Sequence, residues 1–335
     1  MTFTLHTNKK LISAKNDAIQ FLIKNRKQDG LWADFQTVAG RSDEWVTGYV
    51  GNSLALFGET KGHIVANNAL TELLKRQVVR IGWGYNQFVP PDADSTLWIL
   101  RLAQSLGYSN STKQLKGAYT FLEKHIHQSG GVATYVNSVK LKLYRMLVSK
   151  KMSFTGWCMP HICVSAAFSL LNHPKQKAAL EFIRQNQHND GSWSAYWYVN
   201  PEYTTALAVE ALSKTGIDTD FEKCQRAASW AESRVEISLF SPFIAALNLR
   251  ILLASNLKGS DVAHSLISYL LSSQQPDGGW ESSTFLRIPR PDETDPDSYK
   301  YWLFDIGHIG SIQKDITRLF TTATVLTAIG IAIGK

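Results

Sequence analysis

Apolar residues recur along this chain at helical spacing, and they do so in two alternating styles. The first style is one apolar stripe with a charged back. Leu11, Ile12, Ala18, Ile19, Leu22 and Ile23 form the first example, and that spacing predicts an amphipathic helix. Similar helices are predicted near 66–79, 112–127, 176–188, 221–233 and 261–274. The second style carries few charges and is apolar nearly all round, which predicts a buried helix. It recurs near 43–58, 94–107, 155–172, 201–215, 240–256 and 316–331. No segment alternates convincingly with the period of two that marks a strand. Six outer helices thus alternate with six inner ones. The predicted fold is all-α: a single domain over 1–335, built as an (α/α)6 barrel whose inner ring surrounds a cavity.

A short motif repeats where an outer helix ends. Arg26 to Trp32 reads Arg-Lys-Gln-Asp-Gly-Leu-Trp, Gln187 to Trp193 reads Gln-His-Asn-Asp-Gly-Ser-Trp, and Gln274 to Trp280 reads Gln-Gln-Pro-Asp-Gly-Gly-Trp. Weaker copies stand at Arg80-Ile81-Gly82-Trp83 and at Gln128-Ser129-Gly130-Gly131-Val132, and a nearly erased one follows Ser229-Trp230-Ala231-Glu232. The spacing of about 40 to 60 residues belongs to repeat architectures. Gly permits a tight exit from the helix, Asp can accept backbone hydrogen bonds, and Trp can cover the gap between hairpins. These Asp residues are therefore read as structural.

Two connections break the repeat. Residues 131–154 include the basic and apolar run Val139 to Lys151, which fits a membrane-touching edge of the cavity mouth or an ordinary surface helix. Residues 281–315, with Leu286-Arg287-Ile288-Pro289-Arg290-Pro291, are long for a passive link. They are predicted to cap the cavity.

Composition adds limits. The chain has 335 residues, is 44% hydrophobic and carries a formal charge of +7. That is globular, not disordered, and it permits an anionic substrate or an acidic membrane surface. No nucleic-acid-binding motif is present. Three cysteines make no disulfide framework, and the N-terminus lacks a signal-type apolar run, so a reducing cytoplasm is expected. The apolar stretch before Lys335 is shorter than the roughly 20 residues of a membrane span.

The chemistry gathers at Pro90-Pro91-Asp92-Ala93-Asp94-Ser95-Thr96-Leu97-Trp98. Two prolines stop the preceding element, and a helical apolar pattern begins at Leu97. The plain reading is a helix start, since Asp caps helices and suits the dipole. The sharper reading is a paired-carboxylate acid. Asp94, buried beside a second carboxylate, would stay protonated at neutral pH. Trp, Tyr and Phe walls would offer π faces to a carbocation without supplying a nucleophile.

These motifs resemble those of class II terpene cyclases. The Asp-Gly-x-Trp turns look like the Gln-Trp repeats of squalene–hopene and oxidosqualene cyclases, and Asp92-Ala93-Asp94-Ser95-Thr96 looks like their Asp-x-Asp-Asp-Thr. The likeness covers most of the chain but one barrel where those enzymes carry two. It therefore implies a monodomain cyclase, of the kind that cyclises a polyprenylated dihydroxybenzoate. By resemblance Asp94 is the proton donor and Asp92 its partner, while Ser95 stands where the family has a third Asp. Trp197-Tyr198-Val199-Asn200 is similar to the family's Trp-Gly-Val-Asn, which makes Trp197 a cation-facing Trp and Tyr203 part of the proton supply. Gly82-Trp83-Gly84-Tyr85 is similar to Gly-Phe-Ala-Phe, which brings Trp83 and Tyr85 to the substrate. The family pairs its acid with a His on the next inner helix, and His161 is the His there.

Rival readings remain. The same toroid serves zinc-dependent prenyltransferases, but this chain lacks their Asp-x-Cys pair. His161-Ile162-Cys163 puts its two ligands on different faces of a helix. An isoprenoid-binding toroid explains the repeats but not the acid pair, and a carbohydrate-active barrel wants carboxylates further apart. The expected activity is cyclisation of a polyprenylated aromatic acid, with diphosphate as the alternative head group. No cofactor, metal or obligate protein partner is expected. Arg287 and Arg290 are the candidates for the anionic head.

Overall fold

The striped and the all-round apolar stretches fold as helices in the expected alternation. This computed structural model describes residues 5–76, 81–108, 112–136, 141 and 152–334. Outer α1 (Leu5–Lys24) leads to inner α2 (Glu44–Phe57), outer α3 (Glu59–Lys75) to inner α4 (Ala93–Ser105), and outer α5 (Lys113–Glu123) to inner α6 (Ile162–Phe168). Outer α7 (Gln176–Gln185) and inner α8 (Glu202–Leu212) follow, then outer α9 (Asp218–Glu232) and inner α10 (Pro242–Ala254). Outer α11 (Asp261–Ser272) and inner α12 (Leu319–Ile333) complete the order. Inner helices touch in sequence, α2 to α4 to α6 to α8 to α10 to α12, and α12 returns to α2. These contacts make a closed helical ring. At the closure Tyr49 and Thr324 share a hydrogen bond of 2.7 Å, and Ser53 Oγ donates to the Ala323 carbonyl at 2.9 Å.

The repeated turns explain how outer and inner helices stay joined. Each turn Trp donates its indole N–H to the carbonyl ten residues earlier: Trp32 to Leu22, Trp83 to Leu73, Trp193 to Ile183 and Trp280 to Leu270, at 2.7–2.9 Å. Its backbone N–H meets a Thr hydroxyl at the start of the next inner helix, namely Thr47, Thr96, Thr205 and Thr322. Buried indole and peptide donors are thereby satisfied. The last turn also ties back to the first helix, because Gln274 Nε2 donates to the Ala14 carbonyl at 2.9 Å.

Two expectations need correction. Short strands do exist: β1 (Asp34–Thr37) with β2 (Gly40–Ser42), and β3 (Phe285–Ile288), β4 (Leu303–Phe304) and β5 (Ser311–Lys314) in the order β3-β5-β4. They run two to four residues, too short for an alternation to register. The predicted inner helix at 155–172 is broken into Thr155–Cys158 and α6. Pro160, which has no N–H to continue a helix, lies in the break. The 281–315 connection, expected to cap the cavity, carries the three-stranded sheet and puts Leu286, Arg287, Ile288, Gly307 and Ile309 into the cavity lining. The basic run at 139–151 and Arg80 of the weak repeat lie outside the described residues, apart from Leu141. Among the described residues no helix is long and apolar enough to cross a membrane.

Candidate active site

The acid motif forms as its residues dictate. Asp92 has extended backbone and caps α4, accepting from the Ser95 N–H at 2.7 Å and from Ser95 Oγ at 2.8 Å. Both of its oxygens are thus occupied by donors that favour the anion. Asp94 sits in the first turn of α4, half-buried, and its open surface faces a cavity of about 950 Å³ including the mouth. Burial first, and the Asp92 charge second, push the Asp94 carboxyl up to about 8. Asp94 is therefore a protonated acid at neutral pH, while its neighbour is held as a carboxylate.

The walls come from distant stretches. Trp45, Tyr85, Tyr135, Trp157 and Trp197 line the cavity with Leu286, Arg287 and Ile288 of the cap sheet. Trp197 Nε1 donates to Thr134 Oγ1 at 2.7 Å, Tyr85 Oη donates to the Phe35 carbonyl at 3.1 Å, and Trp157 Nε1 to the Pro289 carbonyl at 3.0 Å. With their polar ends so engaged, the rings turn apolar faces to the space. Behind the wall, Tyr198 and Tyr203 stack at 3.7 Å, and both hydroxyls are buried without a partner.

Several sequence-based assignments change. Trp83 is fully buried, and its indole serves the turn bond to Leu73, so it is a structural Trp and not a substrate contact. Ser95 gives its hydroxyl to Asp92, not to Asp94. His161 faces Gly156 and Thr134. Its Nε2 lies 2.8 Å from the Gly156 carbonyl, which can only accept, so Nε2 carries the proton. Its Nδ1 then accepts from Thr134 Oγ1 at 2.7 Å. Burial lowers its pKa to about 3. Neither nitrogen is free to serve the acid. Arg287 lines the cavity but is buried and bound to the carbonyls of Ala195 and Tyr196 and to Asp297. Arg290 is exposed beside Asp292 and outside the lining.

Trp45, Trp157, Thr134 and Tyr135 escaped the sequence reading. A signal existed for the first two. Trp45 is the second residue of α2, as Asp94 is of α4, and Trp157 lies in the short helix Thr155–Cys158 ahead of α6. Among the described residues no three His, Cys, Asp or Glu side chains group to hold a metal.

Known proteins resemble this chain over part or all of its length. The profile of the squalene–hopene cyclase C-terminal domain matches residues 162–237. A squalene–hopene cyclase from Alicyclobacillus acidocaldarius is 31% identical over 126 residues, 31% of this chain and 20% of that one. The matched stretch spans about a fifth of that larger enzyme. Structures of the type II terpene cyclase MstE from Scytonema match throughout. An arginine-to-alanine variant holding geranylgeranyl dihydroxybenzoate, its substrate, superposes with a TM-score of 0.92 and 33% identity, over 98% of this chain and 99% of that one. An aspartate-to-alanine variant holding its product, merosterolic acid A, gives 0.91 and 34%, over 98% and 99%. At that identity over essentially the whole of both chains, this protein belongs to the type II terpene cyclases.

Proposed function

We propose that this chain is a protonation-initiated (class II) cyclase that folds a polyprenyl chain into fused rings, and that its substrate is a polyprenylated aromatic acid. The fold reading that goes with it is an (α/α)6 barrel with Gln-Trp-type repeats. One observation carries the proposal: a carboxylic acid, kept protonated by burial and by Asp92, opens onto an aromatic cavity. Asp94 gives its proton to the terminal alkene. The alkene's electron pair forms the new C–H bond and leaves a tertiary cation. Successive alkenes attack it, and loss of a proton from the last cation makes the product an isomer of the substrate. Tyr203, one layer behind, and solvent return the proton to Asp94. Trp197, Tyr85, Trp45 and Trp157 offer π faces to the moving charge, and the apolar lining disfavours water that would quench it.

The substrate class rests on MstE, whose bound geranylgeranyl dihydroxybenzoate occupies a protein of the same fold. Arg287 is a cation in the lining, and three hydrogen bonds leave part of its five-donor guanidinium for an acidic head group. Arg290 is the weaker candidate. Val38 of the lining is exposed, as are Phe88, next to the lining residue Val89, and Tyr301 and Phe304 of the cap segment. They suit peripheral contact with a lipid surface from which a polyprenyl substrate could be drawn.

Turnover in heavy water tests the chemistry. The pure protein is given geranylgeranyl dihydroxybenzoate or geranylgeranyl diphosphate, with and without chelator. The expected result is a cyclic product bearing one deuterium on the first ring's methylene next to the gem-dimethyl carbon, formed from the aromatic acid in chelator too. Loss of diphosphate without that deuterium, or prenyl transfer to a thiol, would overturn the reading.

A further inference from the structure

The acid's conjugate base has no obvious stabiliser. Asp92 is itself anionic in character, Ser95 serves Asp92, and both nitrogens of His161 are taken by Thr134 and Gly156. Yet an acid strong enough to protonate an alkene must leave an anion that something holds. One side chain is placed for it. Trp98 follows Asp94 by four residues on α4, so the two share a helix face about one turn apart. Its indole N–H is buried and makes no hydrogen bond of full geometry, yet it reaches the Asp94 carboxyl closely enough to pull its pKa down against the burial. An unsatisfied buried donor costs about 1–3 kcal/mol, so its persistence asks for an explanation. On the next turn of the same face, the Arg101 guanidinium lies over the Trp98 ring at 4.3 Å from its centroid. Arg101 Nη1 is also buried and unpartnered. A cation over the ring draws electron density from the indole and makes its N–H a better donor. Tyr49, edge-on to Trp98 at 4.6 Å, holds the ring in place.

We propose, resting on the class II reading, that Trp98 is the positioning residue of the acid: its indole N–H, polarised by Arg101, meets the Asp94 carboxylate as the proton leaves. The column Asp94, Trp98, Arg101 then does dry what a histidine or an ordered water would do in a wetter site. In the resting protein the carboxyl is protonated and the contact is loose, and it tightens only as charge develops. The groups facing Asp94 are Asp92 and Arg101 on its own helix, Cys163 on α6, Tyr203 on α8 and Tyr198 just before α8. Cys163 and the two Tyr are all pushed towards their neutral forms by burial, so Asp92 and Arg101 are the charges that matter. Arg101 in turn faces the buried Glu210–Arg250 pair.

Trp98→Phe keeps the aromatic packing and removes only the N–H. Infrared titration of the substrate-free protein reads the Asp94 carboxyl, and Asp94→Asn identifies its band by deleting it. Loss of a donor to the anion weakens the acid. In Trp98→Phe the midpoint is therefore expected to rise by about one unit from the wild-type value. At pH 7 kcat should fall about 10- to 100-fold with KM within about twofold, and the alkaline limb should move up with the midpoint. Arg101→Met should behave the same way, and Arg101→Lys should restore most of the effect. A purely structural role would lower kcat without moving the midpoint. An unmoved midpoint in folded Trp98→Phe, or in Arg101→Met should Trp98→Phe not fold, overturns the inference. If the midpoint moves as expected but the wild type makes no cyclic product, the class II reading fails while the Trp98–Asp94 coupling stands.

Discussion

At the scale of single residues, the site works by giving two neighbouring carboxyl groups opposite surroundings. Asp92 collects the Ser95 N–H and hydroxyl, whereas Asp94 has only the Trp98 indole within reach and faces apolar space. Each needs the other, since the Asp92 charge is part of what keeps Asp94 protonated. This predicts the effect of Asp92→Asn. The amide oxygen can still accept the Ser95 N–H, so the helix start survives. Without the negative charge, the Asp94 midpoint falls from about 8 towards its ordinary value. On the proposed mechanism the protonated form is the working one, so activity is expected to fall as pH rises through the midpoint. The alkaline limb of the kcat profile should therefore shift to lower pH, with the largest loss near pH 7 and partial recovery near pH 5. A uniform drop with no shift would show that Asp92 acts by packing alone. The pair was legible in the sequence because two prolines and the renewed apolar pattern fixed it at a helix entrance. Trp98 was not, because an apolar residue at helical spacing looks like core, and only an unfilled N–H marks it out. His161 was misread because Pro160 breaks the helix that was expected to aim it.

At the scale of elements, the twelve longer helices followed from hydrophobic periodicity, and most ends fall within a few residues of those predicted. Outer α3 was placed late, at 66–79 against Glu59–Lys75, because the Glu-Thr-Lys-Gly-His start carries no apolar stripe. The strands were invisible, since their order comes from pairing across the chain. β3 joins β5 through a register that no local pattern encodes. The repeated turns carry the clearest sequence-to-structure link, and they differ in a testable way. Gly278 has a φ of 89°, and an added Cβ would sit 2.4 Å from the Asp17 carbonyl of α1. Gly30 has a φ of 83°, with nothing within 4 Å of such a Cβ. Gly30→Ala should therefore cost only the left-handed backbone strain, about 1–2 kcal/mol. Gly278→Ala should cost that plus overpacking of about 1–3 kcal/mol, because the last turn must lift from the first helix. Urea unfolding of the two variants reads the difference. Equal losses would mean that the closing turn is not tightly seated.

At the scale of the whole molecule, the ring joins residues far apart in the chain and leaves one end open. Asp34 shows how strongly the closure is made: its carboxylate accepts the backbone N–H groups of Ile316, Thr317, Leu319 and Phe320 at 2.7–3.2 Å. That contact seats α12 and places Phe320 against Trp45 and Tyr49 under the cavity. Ring closure was implied by the six-fold alternation, but the character of the open face was not. The cavity mouth gathers side chains from the β1–β2 hairpin, the loop before Pro90 and the cap sheet. Phe88 is 82% exposed, Val38 71%, Tyr301 80% and Phe304 65%. Exposed apolar side chains on the segments that also supply the cavity lining would suit an interaction face. A substrate with a long polyprenyl tail partitions into bilayers, which makes a lipid surface the occupant this face suits. Inserting a few aromatic and aliphatic side chains gives reversible binding, which Lys and Arg strengthen on anionic lipid. The protein should float with vesicles containing anionic lipid, and less with neutral ones or at high salt. Phe88→Asp combined with Phe304→Asp places charges where this face meets lipid. This double variant should stay in the pellet fraction, slow turnover of vesicle-borne substrate about tenfold or more, and leave turnover of detergent-dispersed substrate unchanged. Undiminished flotation of the double variant would rule out this face as the membrane contact and return attention to the basic run at 139–151.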